Sequence, residues 1–197
     1  PPDPPAVRQL EALARLEVTG PGPDTGYERA LIGPAWADVD GNGCDTRNDI
    51  LARDLTDLTF STRGDVCEVR TGTFDDPYTG ETIDFRRGNA TSAAVQIDHV
   101  VPLLDAWRKG ARAWDDETRR QFANDPLNLL ASAGPAHQSE GARAASAGRP
   151  PRHAGRCPWG ARQIAVKAAY ELSVTPSESE AMARVLADCP AEPLPAG

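Results

Sequence analysis

Gln96-Ile97-Asp98-His99-Val100-Val101-Pro102 decides how this chain reads. Residues 94–101 form an apolar run of strand type, closed by Pro102, which cannot donate to a ladder. Two polar, metal-capable side chains stand at its end. Burying Asp98 and His99 together without partners would cost several kcal/mol, a cost that falls when one holds a metal and the other faces a substrate. Asn128 follows twenty-nine residues after His99, one polar residue in a short strand expected over 127–131. Nine residues later His137 opens a stretch, 136–147, expected to be helical. A strand bearing Asp-His, a strand bearing Asn and a helix bearing His form the centre from which the remaining sequence is read.

Outward from it, helical and extended patterns mix, so the fold class is α+β. Leu10, Leu13, Leu16 and Val18 fit a short helix ending at Gly20, before the turn-rich Pro21-Gly22-Pro23. The opening Pro1-Pro2-Asp3-Pro4-Pro5 is not expected to start a helix or strand. A second helix is expected over 47–55. Cys67, Val69, Thr71 and Thr73 alternate along one side of a strand, Asp75-Asp76-Pro77-Tyr78-Thr79-Gly80 turns the chain, and 82–85 returns. Residues 103–113 and 116–122 read as helices. Ile164, Ala168 and Leu172, four apart, make one apolar stripe. Thr175-Pro176-Ser177-Glu178 is a capping box with proline at the first helical position, and Met182, Val185, Leu186 and Cys189 give the buried face of the last helix. Residues 1–20 read as linker and short helix, 21–189 as a single domain and 190–197 as a disordered tail.

The chain has 197 residues, 40% apolar and 25% charged, which supports a buried core and excludes wholesale disorder. No run of about 18 apolar residues is present to span a membrane. Cys44, Cys67, Cys157 and Cys189 include no C-x-x-C pair, which argues against a zinc ribbon or a thioredoxin-like motif. An even number of widely spaced cysteines reads as two disulfides of an exported protein. Three pairings are possible, and the sequence-local one, Cys44–Cys67 with Cys157–Cys189, is expected. The proline-rich start fits a chain from which an export signal or membrane tether has been removed, so a secreted or cell-surface location is expected.

Asp38-x-Asp40-x-Asn42-Gly43, with Asp49 at the twelfth position, matches the start of an EF-hand Ca²⁺ loop. The twelfth ligand of such a loop is a bidentate Glu, and here the shorter Asp49 stands there. A turn that simply starts the next helix is the other reading. Arg86-Arg87 and Arg119-Arg120 read as solvated surface or as phosphate contacts, and His153, among prolines and glycine, as solvated loop.

With its His, Asn, His order the sequence resembles the HNH endonucleases, whose core is a ββα-metal finger. The nearer resemblance is to secreted bacterial HNH proteins with a DUF1524 domain, related to the C-terminal domain of GmrSD restriction enzymes. It is carried by Asn42-Gly43-Cys44-Asp45-Thr46-Arg47-Asn48-Asp49-Ile50-Leu51, Asp76-Pro77-Tyr78-Thr79-Gly80 and Val95-Gln96-Ile97-Asp98-His99-Val100-Val101-Pro102-Leu103. Phe122-Ala123-Asn124-Asp125-Pro126-Leu127-Asn128-Leu129 and Ala161-Arg162-Gln163-Ile164-Ala165-Val166-Lys167 complete it, over roughly residues 36–189. The resemblance implies a ββα finger within a small mixed domain with C-terminal helices, acting as a metal-dependent endonuclease on DNA or RNA. His99 would be the general base, Asp98 and His137 the ligands of one divalent cation (Mg²⁺ most simply, with Mn²⁺, Ni²⁺ or Zn²⁺ as alternatives), and Asn128 the brace that orients His99. It departs at 137 and 140, where the family has asparagine and lysine and this chain has His137 and Glu140. The acidic residues and tryptophan of the family between 142 and 148 are also missing. The rival from another class is a secreted binding or surface module, calcium-stabilised, that retains the finger only as scaffold. A monomer is expected, and an immunity partner for a defence nuclease cannot be read from one chain.

A formal charge of −8 argues against a nucleic-acid partner only if it is spread evenly. Residues 1–97 carry nine cations and seventeen anions, 98–167 eleven cations and seven anions, and 168–197 one cation and five anions. Every residue of the expected nuclease site falls in the cationic segment, which predicts modest, salt-sensitive binding on one side.

Overall fold

The computed structural model describes residues 5–134 and 153–195. The described elements are α1 (Pro5–Arg15), α2 (Thr46–Asp54), β1 (Thr56–Phe60), β2 (Val69–Asp75), β3 (Thr82–Arg86), β4 (Val95–His99), α3 (Leu103–Arg108), α4 (Asp116–Asn124), β5 (Leu129–Ala133), α5 (His153–Ala169) and α6 (Pro176–Asp188). Strands β1-β2-β3 form an antiparallel meander, and β4 pairs antiparallel with β5 in a separate ribbon. The architecture is mixed α+β with its C-terminal part helical. No described helix is long and apolar enough to cross a membrane.

Local chemistry sets most boundaries. The Asp45 carboxylate accepts from Asn48 N at 2.8 Å and starts α2. The capping box of α6 is formed, with Thr175 and Glu178 exchanging bonds and Pro176 at the first helical position. Helix α1 takes Pro5 as its first residue, a position where a missing N–H costs nothing, so the opening prolines do admit a helix start there. The helix expected over 103–113 stops at Arg108, because Gly110 adopts φ 142 and a short 3₁₀ turn, Ala111–Ala113, follows. Cys67 lies just before β2 instead of within it, and His153 is the first residue of a helix, not a loop residue. Strand β1 was not expected at all: it is short, mostly exposed, and bulged against β2. The helix expected over 136–147 lies outside the described residues.

Three apolar clusters meet around the end of β4. Val95, Ile97, Leu129 and Ala131 of the ribbon pack on Ile50 and Leu51 of α2 and on Val69, Phe74 and Phe85 of the meander. Val100 joins Leu13, Leu16, Tyr78, Trp159, Ile164, Met182 and Leu186 among the helices. Val101 joins Ala106, Phe122, Leu127, Val166 and Leu172. The chain leaving β4 is thus held in a different cluster at each of three apolar positions, which fixes the two polar residues between them. Leu194 packs against the helical cluster, and Gln9 of α1 donates to the Glu192 carbonyl.

Both disulfides are the sequence-local pairs, Cys44–Cys67 and Cys157–Cys189. The first ties the loop before α2 to the start of β2, and the second ties α5 to the end of α6. Each closes a loop whose entropy in the unfolded chain is worth about 3–4 kcal/mol. Reduction with a thiol is therefore expected to lower the midpoint of urea unfolding clearly; an unchanged midpoint would contradict this contribution.

Candidate functional site

The β4–β5 register places Asp98 opposite Leu130 and His99 opposite Leu129, so Asn128 lies just outside the ribbon beside the strand exit. Along β4, Val95 and Ile97 are buried while Gln96 and Asp98 are half-buried, as alternation requires for a ribbon with one face on the core. Asp98 Oδ1 accepts from the His99 N–H at 2.7 Å. His99 Nε2 lies 2.9 Å from the Ala123 carbonyl at the end of α4. A carbonyl can only accept, so Nε2 carries the proton of the neutral ring and Nδ1 is its basic nitrogen.

Asn128 is fully buried and satisfies the backbone that follows His99. Its carbonyl accepts from Val100 N and its Oδ1 from Val101 N, both at 2.8 Å. Its Nδ2 donates to the carbonyls of Val101, at 3.3 Å, and Phe122, at 3.4 Å. One amide therefore fastens the β4 exit to the last turn of α4, whose next carbonyl holds the His99 ring. Gln163 of α5, also buried, donates to the Val100 carbonyl at 2.9 Å.

Side chains also satisfy the outer edge of β5. The Leu129 carbonyl accepts from Arg53 Nη2 at 2.7 Å, Ala131 N donates to Asp54 at 2.8 Å, and Ala133 N donates to Asp76 Oδ2 at 3.1 Å. Asp76 is buried and its Oδ1 accepts from Tyr78 N at 2.7 Å, while Gly80 closes the turn at φ 79. The turn is met from α5 by Gly155, where a Cβ would lie 2.6 Å from the Pro77 carbonyl. Sequence reading placed Asp76 in a turn but had no sign that it caps a strand more than fifty residues away. Asp76→Ala leaves two buried N–H groups without acceptors and is expected to cost about 2–4 kcal/mol in urea unfolding. A loss below about 1 kcal/mol would contradict this pinning role.

His137 lies outside the described residues. In the loop before α2, Asp38 accepts from Gly41 N and Gly43 N, and Asp40 Oδ1 from Asn42 N. Asn42 donates to Asp40 and to Asp49 and accepts from Cys44 N. The oxygens Asp38, Asp40 and Asn42 thus serve the loop's own N–H groups, which holds Asp38 below the usual carboxylate range. Among the described residues no group of three or more His, Cys, Asp and Glu is placed to hold a metal ion. Two of the paired arginines are structural: Arg87 donates to the Val69 carbonyl and to Asn48, and Arg119 to the Leu31 and Trp114 carbonyls. Arg120 pairs with Glu117.

Sequence reading missed a buried ionic cluster among α3, α5 and α6. Lys109, the residue following α3, bonds Asp105 of α3 at 2.7 Å and also Glu178 of α6, while Lys167 of α5 bonds Asp105 at 3.1 Å. All four are buried, and the two lysines are the only ones in the chain. Desolvation pushes Lys167 below the ordinary lysine value. Asp105 lies below the ordinary carboxylate value: burial works against that, and Lys167 and Lys109 outweigh it. That scarcity of lysine, with both copies set among apolar helical positions, was the available signal.

Residues 45–185 match the model of the GmrSD restriction endonuclease C-terminal domain family. A protein of Arthroderma benhamiae named as an uncharacterized secreted protein is 34% identical over 192 residues, covering 96% of this chain and 89% of that protein. No solved structure matches the chain.

Proposed function

This chain belongs to the GmrSD restriction endonuclease C-terminal domain family, and on that premise we propose that it is an exported, metal-dependent endonuclease hydrolysing phosphodiester bonds of DNA. In this reading β4 and β5 are the two strands of a ββα finger whose helix is the segment 136–147. The bond from His99 Nε2 to the Ala123 carbonyl carries the proposal, since it supports a ring poised to take a proton on Nδ1. The attacking water gives that proton to Nδ1, and the resulting imidazolium keeps its Nε2–H on the carbonyl throughout. Asn128 keeps the backbone behind His99 from shifting and excludes water from the strand exit.

Asp98 offers hard carboxylate oxygens at the half-buried end of β4, which suit a divalent cation such as Mg²⁺, and Asp98 with His137 would hold it. When bound, such an ion supplies Lewis-acid stabilisation of the charge developing on the phosphoryl and leaving oxygens. Export is supported by two disulfides and by the name of the fungal relative. End analysis of a labelled duplex and a labelled RNA incubated with Mg²⁺, Mn²⁺, Ni²⁺ or Zn²⁺ tests the reading. Internal cuts leaving 5′-phosphates on the duplex are expected. A folded protein that cuts neither polymer with any of these ions would overturn it in favour of a binding module.

A further inference from the structure

Arg162 lies on α5 and is half-buried. Its Nη1 donates to the carbonyls of Leu127, at 3.1 Å, and Pro126, at 3.4 Å, immediately before Asn128. Among the described residues its Nε and Nη2 have no hydrogen-bond partner, and it makes no ion pair. Its neighbour is another cation: Arg53, whose own fork is taken by Asp54 and by the Pro126 and Leu129 carbonyls. Two guanidiniums thus converge on one carbonyl, that of Pro126, and the Asp54 carboxylate is bonded by Arg53. Burial lowers the pKa of Arg162 from the ordinary arginine value and Arg53 adds to this, against the weaker opposing pull of Tyr78, Asp54 and Asp125. Arg162 also shares its surroundings with Asp98, since both charges act on the buried phenol of Tyr78.

A half-buried arginine with a like charge beside it and donors to spare is arranged for an anion supplied from outside. We propose that Arg162 binds a phosphate of the substrate strand, held in place by the Pro126 and Leu127 carbonyls with Arg53 as its backing charge. This rests on the nuclease reading. The anion is a phosphodiester, and both Arg162 and Asp98 lie close enough to the Tyr78 phenol to act on it.

Binding of a fluorescein-labelled duplex, followed by anisotropy in EDTA so that no cleavage intervenes, tests the proposal over roughly 50–200 mM salt. R162Q is expected to bind about 5–10-fold more weakly at the low-salt end, with a log–log salt slope shallower by about one. R162K should restore the slope, and R184Q, on the exposed side of α6, should match the wild type. A structural role alone would leave the slope unchanged, and an R162Q slope equal to that of the wild type overturns the proposal while leaving the nuclease reading intact. Absence of duplex binding by the wild type overturns both. A second readout needs no variant: phenylglyoxal should modify Arg162 in the free protein and fail to do so with duplex bound. Equal modification in both states also overturns the proposal.

Discussion

Replacing His99 with alanine is expected to lower the rate of duplex cleavage by about 10²–10⁴-fold at saturating Mg²⁺, the usual contribution of a positioned base. The fold should survive. His99 is half-buried, and the bond to the Ala123 carbonyl that is lost is worth about 1 kcal/mol. The clusters that hold β4 use Ile97, Val100 and Val101, all of which the substitution leaves in place. H99Q separates geometry from basicity, because its amide can still donate to the Ala123 carbonyl but cannot take a proton at neutral pH. It should be as slow as H99A and melt closer to the wild type. Full activity in either variant would remove His99 from the mechanism.

Replacing Lys167 with methionine is expected to cost about 3–5 kcal/mol, the penalty for stripping one partner from a buried ionic cluster. The methionine fills similar volume, so the loss is electrostatic: Asp105 and Glu178 then share Lys109 alone. The same variant changes the acid response. In the wild type Asp105 has a folded pKa below its unfolded value, so its contribution is complete above about pH 4 and lost as pH falls through the folded value. Without Lys167, burial acts on Asp105 with less opposition, and its pKa moves back up. The fall in melting temperature on acidification should therefore be shallower in K167M than in the wild type. Equal slopes would show that Lys167 does not set the ionisation of Asp105. Double replacement of Lys167 and Asp105 by apolar residues should recover part of the loss.

The parts of the molecule legible in the sequence are those whose signal is local. The capping box of α6 lies within four residues and is found where it was read. Strand β4, by contrast, ends at His99, before the Val101-Pro102 boundary expected for it, and β2 buries Gly72 and Phe74 where Thr71 and Thr73 were expected to line one side with Val69. The ribbon that carries Asp98 and His99 was legible as two apolar runs, though β5 starts two residues later than expected because Asp125 turns the chain first. Its Oδ1 accepts from Leu127 N at 2.7 Å. Strand β1, Thr56-Asp57-Leu58-Thr59-Phe60, was not legible, since it is short and mostly exposed and pairing with β2 makes it a strand. Asp54 and Asp76 were illegible as caps of β5, because their partners are backbone groups far away in sequence.

Charge shows the same division. The surplus over residues 98–167 includes Lys109 and Lys167, whose charges are buried and met by Asp105 and by Glu178, outside that segment. The cationic surface is therefore smaller than the sequence count, and what remains near the site is chiefly arginine. Arg119 and Arg87 spend their donors on carbonyls of the fold, which no composition could reveal.

The most direct test is relaxation of supercoiled plasmid by the purified wild-type protein, after EDTA treatment and then after Mg²⁺ is restored. No relaxation is expected in EDTA, nicking and linearisation once Mg²⁺ is added, and neither from H99A under the same conditions. Relaxation that persists in EDTA, or is equal in H99A, would contradict the proposed mechanism.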